Sequence, residues 1–104
     1  MSQEVAKTIL SQLGGQGRLV AMLGASSFSA GEFKEGEGVS FRIAAKARNK
    51  AKAIVITLNA RDLYDVRFVA MKGFDAVDVD KLEGVDCEAL KPAIEAKLGL
   101  MLSF

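Results

Sequence analysis

The chain has no histidine and no tryptophan, and only one cysteine, one tyrosine and one proline among 104 residues. Each absence removes a class of function. Without histidine there is no imidazole acid/base near neutral pH, no Ser-His-Asp triad and no histidine metal site. Cys87 stands alone, so it forms no internal disulfide and cannot build a cysteine-ligated zinc site within one chain. Nothing in that cysteine usage suggests an oxidising compartment. A base-stacking surface would have to draw on Phe28, Phe33, Phe41, Phe68, Phe74 or Phe104, most of which fit a core pattern. No apolar run reaches the roughly 18 residues that span a bilayer. The opening Met1-Ser2-Gln3-Glu4 has no basic region followed by an apolar run, so no signal peptide is expected. The expectation is a soluble, cytoplasmic protein without a membrane partner.

What is present is an ordinary globular composition, 50% apolar and 26% charged. The length predicts one domain over 1–104, large enough for a core without staples. No internal repeat or domain boundary interrupts it. The net charge of +1 hides a segregation. Residues 37–72 carry eight bases against three acids, a net +5, and residues 73–104 carry three bases against seven acids, a net −4. Such local fields bear on partners rather than on fold.

Residues 3–13 read as a helix, with Val5, Ile9 and Leu13 on one face beside Ala6 and Leu10. Ser2 suits its N-cap and Glu4 its positive dipole end. Gly14-Gly15 stops it, with one glycine left-handed at C′. Arg18 to Leu23 is a short apolar run between Gly17 and Gly24, which predicts a strand covered on both faces. Residues 24–38 hold four glycines and three serines and read as a long loop.

Residues 39–46 alternate, Val39, Phe41, Ile43 and Ala45 inward. Residues 53–59 repeat the pattern with Ile54, Ile56 and Leu58, and 63–71 with Tyr64, Val66, Phe68 and Ala70. Residues 47–52 between the first two runs form a basic hairpin loop, and Asn59-Ala60-Arg61-Asp62 has turn chemistry. After Gly73, Phe74 to Val79 reads as an acidic edge strand. Asp86 caps a final helix through Leu98, striped by Leu90, Ile94 and Leu98 and stopped by Gly99. Pro92 inside it favours a late start or a bend. The apolar tail 100–104 should pack on the core or join a dimer interface. The fold class is therefore α+β: an N-terminal helix, a four- to five-stranded antiparallel meander sheet with helices on one face, and a C-terminal helix.

Three suggestive patterns fail on inspection. Gly14-Gly15-Gln16-Gly17 follows a helix and opens a strand, the reverse of a dinucleotide fingerprint, and lacks a P-loop Lys-Ser/Thr. The acids from Asp75 to Asp86 match a calcium loop in composition only, since Leu82 and Glu83 stand where a ligand and a glycine are needed. Asp62 and Asp65 have no spacing that specifies a metal nuclease. No catalytic residue, metal ligand or cofactor emerges. The candidate surface is the basic set Arg42, Lys46, Arg48, Lys50, Lys52 and Arg67, on a hairpin and the sheet face beside it, where phosphates would be neutralised. The competing account is that these bases keep a hairpin soluble and unpaired.

A longer pattern runs through the chain. Ala6-x-x-Ile9-Leu10-x-Gln12-Leu13-Gly14-Gly15 is followed by Gly24-Ala25-x-x-Phe28 and Ser40-Phe41-Arg42. Ile56-Thr57-Leu58-Asn59, Asp62-x-Tyr64-Asp65-Val66-x-Phe68, Gly73, Gly84-Val85 and Gly99-Leu100 complete it. This resembles a family of small uncharacterised proteins of bacteriophage and prophage genomes, most specifically over Asn59 to Phe68. The resemblance implies an accessory role in a bacterial cytoplasm and carries over no activity, ligand or catalytic residue. The basic 46–52 stretch lies outside the pattern. Within it, Asp62 is expected to close a turn through its side chain and Tyr64 to bury its ring.

The expectation for function is a non-catalytic binding protein whose ligand is nucleic acid, single- or double-stranded. The alternative is a protein-binding inhibitor or modulator of a host factor, using either charged patch. A homodimer through the tail or an open sheet edge is compatible with both.

Overall fold

The computed structural model describes residues 3–33, 36–44, 46, 48 and 50–99. The elements are α1 (Gln3–Gln12), α2 (Gln16–Leu23), β1 (Ser26–Phe33), β2 (Gly36–Arg42), β3 (Ala53–Leu58), β4 (Tyr64–Lys72), β5 (Asp75–Val85) and α3 (Cys87–Leu98). The five strands form one antiparallel sheet in the order β1-β2-β3-β4-β5. This is the α+β meander that the alternating runs predict.

Alternation sets the core. Val39 and Phe41 of β2 face Ile56 and Ile54 of β3, which in turn face Val66 and Phe68 of β4, and all six are buried. Ile9 of α1 and Leu13 just past its end, Leu19 and Leu23 of α2, and Leu90, Ile94 and Leu98 of α3 close over that face. Each helix contributes apolar residues four apart, one turn of a 3.6-residue period. Burial at this scale supplies most of the favourable free energy of a domain.

The helix ends follow the expected chemistry. The Gly14 N–H donates to the Ser11 carbonyl at 3.1 Å and the Gly15 N–H to the Leu10 carbonyl at 2.8 Å. That bond pair is a Schellman closure with Gly14 at C′, φ 101°. Asp86 is the N-cap of α3, its carboxylate accepting from the Ala89 amide at 2.8 Å. Helix α3 starts at Cys87 and continues through Pro92 to Leu98, so the proline does not delay its start. Ser2, the side chain of Glu4 and the tail 100–104 lie outside the described residues.

Three expectations are corrected. Arg18 to Leu23 is not a strand but the body of α2. Leu19 and Leu23 are buried while Val20, between them, is 48% exposed, a helical pattern. A short apolar run does not distinguish a two-sided strand from a helix, and here the burial of every fourth residue shows the helix. The stretch 24–38 is not a loop: most of its described residues belong to β1 and the start of β2. Its glycines serve close backbone approach. A Cβ at Gly38 would stand 1.9 Å from the Ile56 carbonyl oxygen across the ladder. Ser27, at φ 55°, lies in the register shift between Ser26 and Ser29 and lets Phe28 reach Phe41, ring centroids 5.3 Å apart. Finally, the edge strand does not begin at Phe74. It spans Asp75–Val85, and Phe74 belongs to the turn before it.

Candidate functional site

The basic residues fall into two environments. Arg42 ends β2 on the sheet face away from the helices, opposite Ser26 and Ala53, and is exposed. Lys46, Arg48, Lys50 and Lys52 are all exposed in the β2–β3 connection. That connection is anchored in four places. The Ile43 amide donates to the Lys52 carbonyl (2.8 Å), Ala44 to Leu23 (3.0 Å), Arg48 to Leu98 (2.7 Å) and Lys52 to Val69 (2.7 Å). Ala51 is fully buried beneath it. Bases on such a segment are displayed from a fixed platform. Ala45, Ala47 and Asn49 lie outside the described residues.

Arg48 also has a local task. Its backbone meets the last carbonyl of α3, and a Cβ at Gly99 would stand 3.0 Å from its Nε. A guanidinium there complements the negative end of the helix dipole. No ion pair joins Arg42, Lys46, Lys50 or Lys52 to an acid among the described residues.

Arg67 stands apart. It lies on the outer face of β4, opposite Val55 and Lys81, and its guanidinium reaches the Asp78 carboxylate at 3.5 Å. The ladder pair Arg42↔Ala53 and its neighbour Ala53↔Val69 lie two ladder positions nearer the sheet end. Lys81 pairs with Glu83 at 3.6 Å nearby, so this strip is of mixed charge. The acids of β5 are divided as well: Asp80 turns to the helix side and meets Lys97 of α3 at 3.0 Å.

The Asn59 to Asp65 stretch is a structural knot. The Asn59 Oδ1 accepts from the Arg61 amide (2.8 Å) and the Leu63 amide (3.2 Å), which closes the turn. Its Nδ2 donates to the Asp65 carboxylate at 3.2 Å, which also accepts from the Gly84 amide at 3.0 Å. Turn and edge strand are thereby tied together. Asp62 therefore does not close the turn with its side chain; its backbone adopts φ 61°, which short polar residues tolerate. A shallow cavity of about 490 Å³ lies beside this knot, lined by Asn59, Arg61, Asp65 and Gly84 among others. The side chains of Asn59 and Asp65 in its lining are engaged in holding the turn.

Tyr64 is buried, 5% exposed. Burial, and secondarily the charge of Cys87, pushes its hydroxyl above the usual value. It therefore stays protonated at neutral pH. Among the described residues no three acidic or cysteine side chains gather to hold a metal ion, and no helix is long and apolar enough to cross a membrane.

The sequence pattern sets Phe74 at the start of the acidic edge strand. Instead it is fully exposed, at 103%, in the two-residue turn Gly73-Phe74 between β4 and β5. The signal was Gly73: with φ 62° it sets a tight hairpin turn, and the next residue then points off the sheet end. No family model matches the chain, and no curated protein or solved structure matches it.

Proposed function

We propose that this chain is a non-catalytic binding protein that tracks a nucleic-acid backbone with its 42–52 segment. The observation that carries the reading is the display of Arg42, Lys46, Arg48, Lys50 and Lys52, all exposed, from a connection pinned at four backbone positions. Rigid display lowers the ordering cost of binding, and each neutralised phosphate releases counterions. Arg67 contributes less, because Asp78 already holds its charge. The resemblance to phage and prophage proteins supports an accessory role in a bacterial cytoplasm.

The test is fluorescence anisotropy of labelled single-stranded DNA, duplex DNA and RNA at about 50 and 200 mM salt. Affinity should fall steeply with salt. Replacing Arg48, Lys50 and Lys52 together by alanine should weaken binding and lower the salt slope by about 2, at roughly 0.7 to 0.9 per phosphate contact. Arg67→Ala should change the slope by less than one contact. Absence of binding at the lower salt removes the reading.

The acidic edge strand favours a second reading, a modulator that docks on a basic host protein. Asp75, Asp78 and Glu83 are exposed on β5, whose far side pairs with no strand among the described residues. One stoichiometric host partner that survives nuclease treatment would support it.

A further inference from the structure

The β4–β5 ribbon overhangs the sheet. Strand β3 stops pairing with β4 at Ala53↔Val69, while β4 and β5 continue through Ala70↔Val77, Met71↔Ala76 and Lys72↔Asp75. At roughly 3.3 Å per residue the ribbon projects about 10 Å beyond its neighbour. Phe74 is at its tip with the ring fully in water, and Met71, 51% exposed, is on its outer face. A large aromatic at a loop tip adds nothing to this core. The Lys52 amide bonds Val69 at 2.7 Å, so the basic connection sits at the root of the same overhang.

Resting on the nucleic-acid reading above, we propose that Phe74 is the base-stacking platform of that interface, which makes the interface selective for unpaired strands. The basic connection takes phosphates and the ribbon tip takes a base. A phenyl ring stacks on the neutral face of any base, but only on one that is not already stacked in a duplex. The charge pattern divides the labour. Asp75, exposed beside Phe74, repels phosphate and accepts hydrogen bonds from a base edge. Cytosine and adenine offer an exocyclic amino group to such an acceptor, whereas thymine offers only a ring N3–H flanked by two carbonyl oxygens that repel a carboxylate. The span from root to tip is one that a strand of a few nucleotides covers.

The experiment compares wild type, Phe74→Ser, Phe74→Tyr and Asp75→Ala by anisotropy. The probes are oligo(dC) and oligo(dT) of about a dozen nucleotides and a duplex of equal length, at about 50 mM salt. Thermal melts check that each variant is folded, which an exposed tip residue should allow. Phe74→Ser should weaken oligo(dC) binding about tenfold, within the range of one stacked base, with the salt slope kept. Phe74→Tyr should restore it. Wild type should prefer oligo(dC) to oligo(dT), and Asp75→Ala should erase that preference. Wild type that binds DNA while Phe74→Ser binds equally well overturns the stacking role and leaves the basic segment standing. Wild type that binds none of the probes overturns both. A self-association seen in sedimentation that Phe74→Ser abolishes, with DNA binding untouched, would assign the tip to a second copy of the chain and overturn the proposal.

Discussion

The backbone N–H of Arg48 donates to the carbonyl of Leu98 at 2.7 Å, fastening the middle of the basic connection to the last turn of α3. Residues fifty positions apart in sequence thus share one hydrogen bond, which ties the end of α3 to Arg48. The Arg48 amide should therefore exchange slowly with solvent although its side chain is exposed. Gly99→Ala tests the joint, since a methyl there meets Arg48 and the backbone sits at φ 69°. It should cost about 1 kcal/mol or more and speed exchange at Arg48, read by hydrogen-exchange NMR.

Asn59 and Asp65 make a second joint, between the β3–β4 turn and the bulge at Gly84. Asp65→Ala removes the acceptor of two hydrogen bonds and should destabilise by about 1–3 kcal/mol in urea unfolding. Asp62→Gly should change stability by less than about 0.5 kcal/mol, because relief at φ 61° offsets the added chain entropy. Equal effects at the two positions would contradict the assignment of the turn to Asn59 and Asp65.

Gly38 should be the least replaceable glycine of the sheet. Its missing Cβ would stand 1.9 Å from the Ile56 oxygen and 2.7 Å from the Thr57 Cα, both backbone atoms that cannot rotate away. Gly38→Ala should destabilise by about 3 kcal/mol or more, a large share of the stability of a domain this size. Gly31→Ala, opposite it on the edge strand with open space around, should cost far less in the same thermal melt.

Tyr64 supplies a pH test, and as the one tyrosine it gives an unambiguous tyrosinate signal in the near ultraviolet. Its hydroxyl is raised above the ordinary value of 10.0, first by burial and second by Cys87. The folded state holds this proton more tightly than the unfolded chain. The resulting stability is therefore complete below the unfolded value and is lost as pH rises through the folded one. Tyrosinate should appear at higher pH in the folded protein than in urea. Cys87→Ser should lower that midpoint, though by less than the burial effect.

Much of the sheet was legible because alternation has a period of two and one face is buried. Val39 and Phe41, Ile54 and Ile56, and Tyr64, Val66 and Phe68 occupy the sides their spacing assigns. The helix stripe Leu90, Ile94 and Leu98 was legible for the same reason at a period of 3.6. The run Leu19 to Leu23 was not, because five consecutive apolar residues fit either period and only packing against the finished sheet chooses. The glycines of 24–38 misled because glycine marks both mobile chain and close backbone contact, and a partner strand must be in place to tell them apart.

The candidate surface divides in the same way. The sequence by itself determined that the charge is segregated, that no histidine or paired cysteine chemistry exists, and which residues carry the basic field. Those are properties of composition and order, untouched by folding. The tertiary structure alone decided which charges remain available. It neutralises Arg67 against Asp78, sets Arg48 at the end of α3 and leaves Lys46, Lys50 and Lys52 exposed. It also decided that Phe74 faces water, since a side chain's burial depends on what the rest of the chain brings to it, and among the described residues nothing covers the ribbon tip.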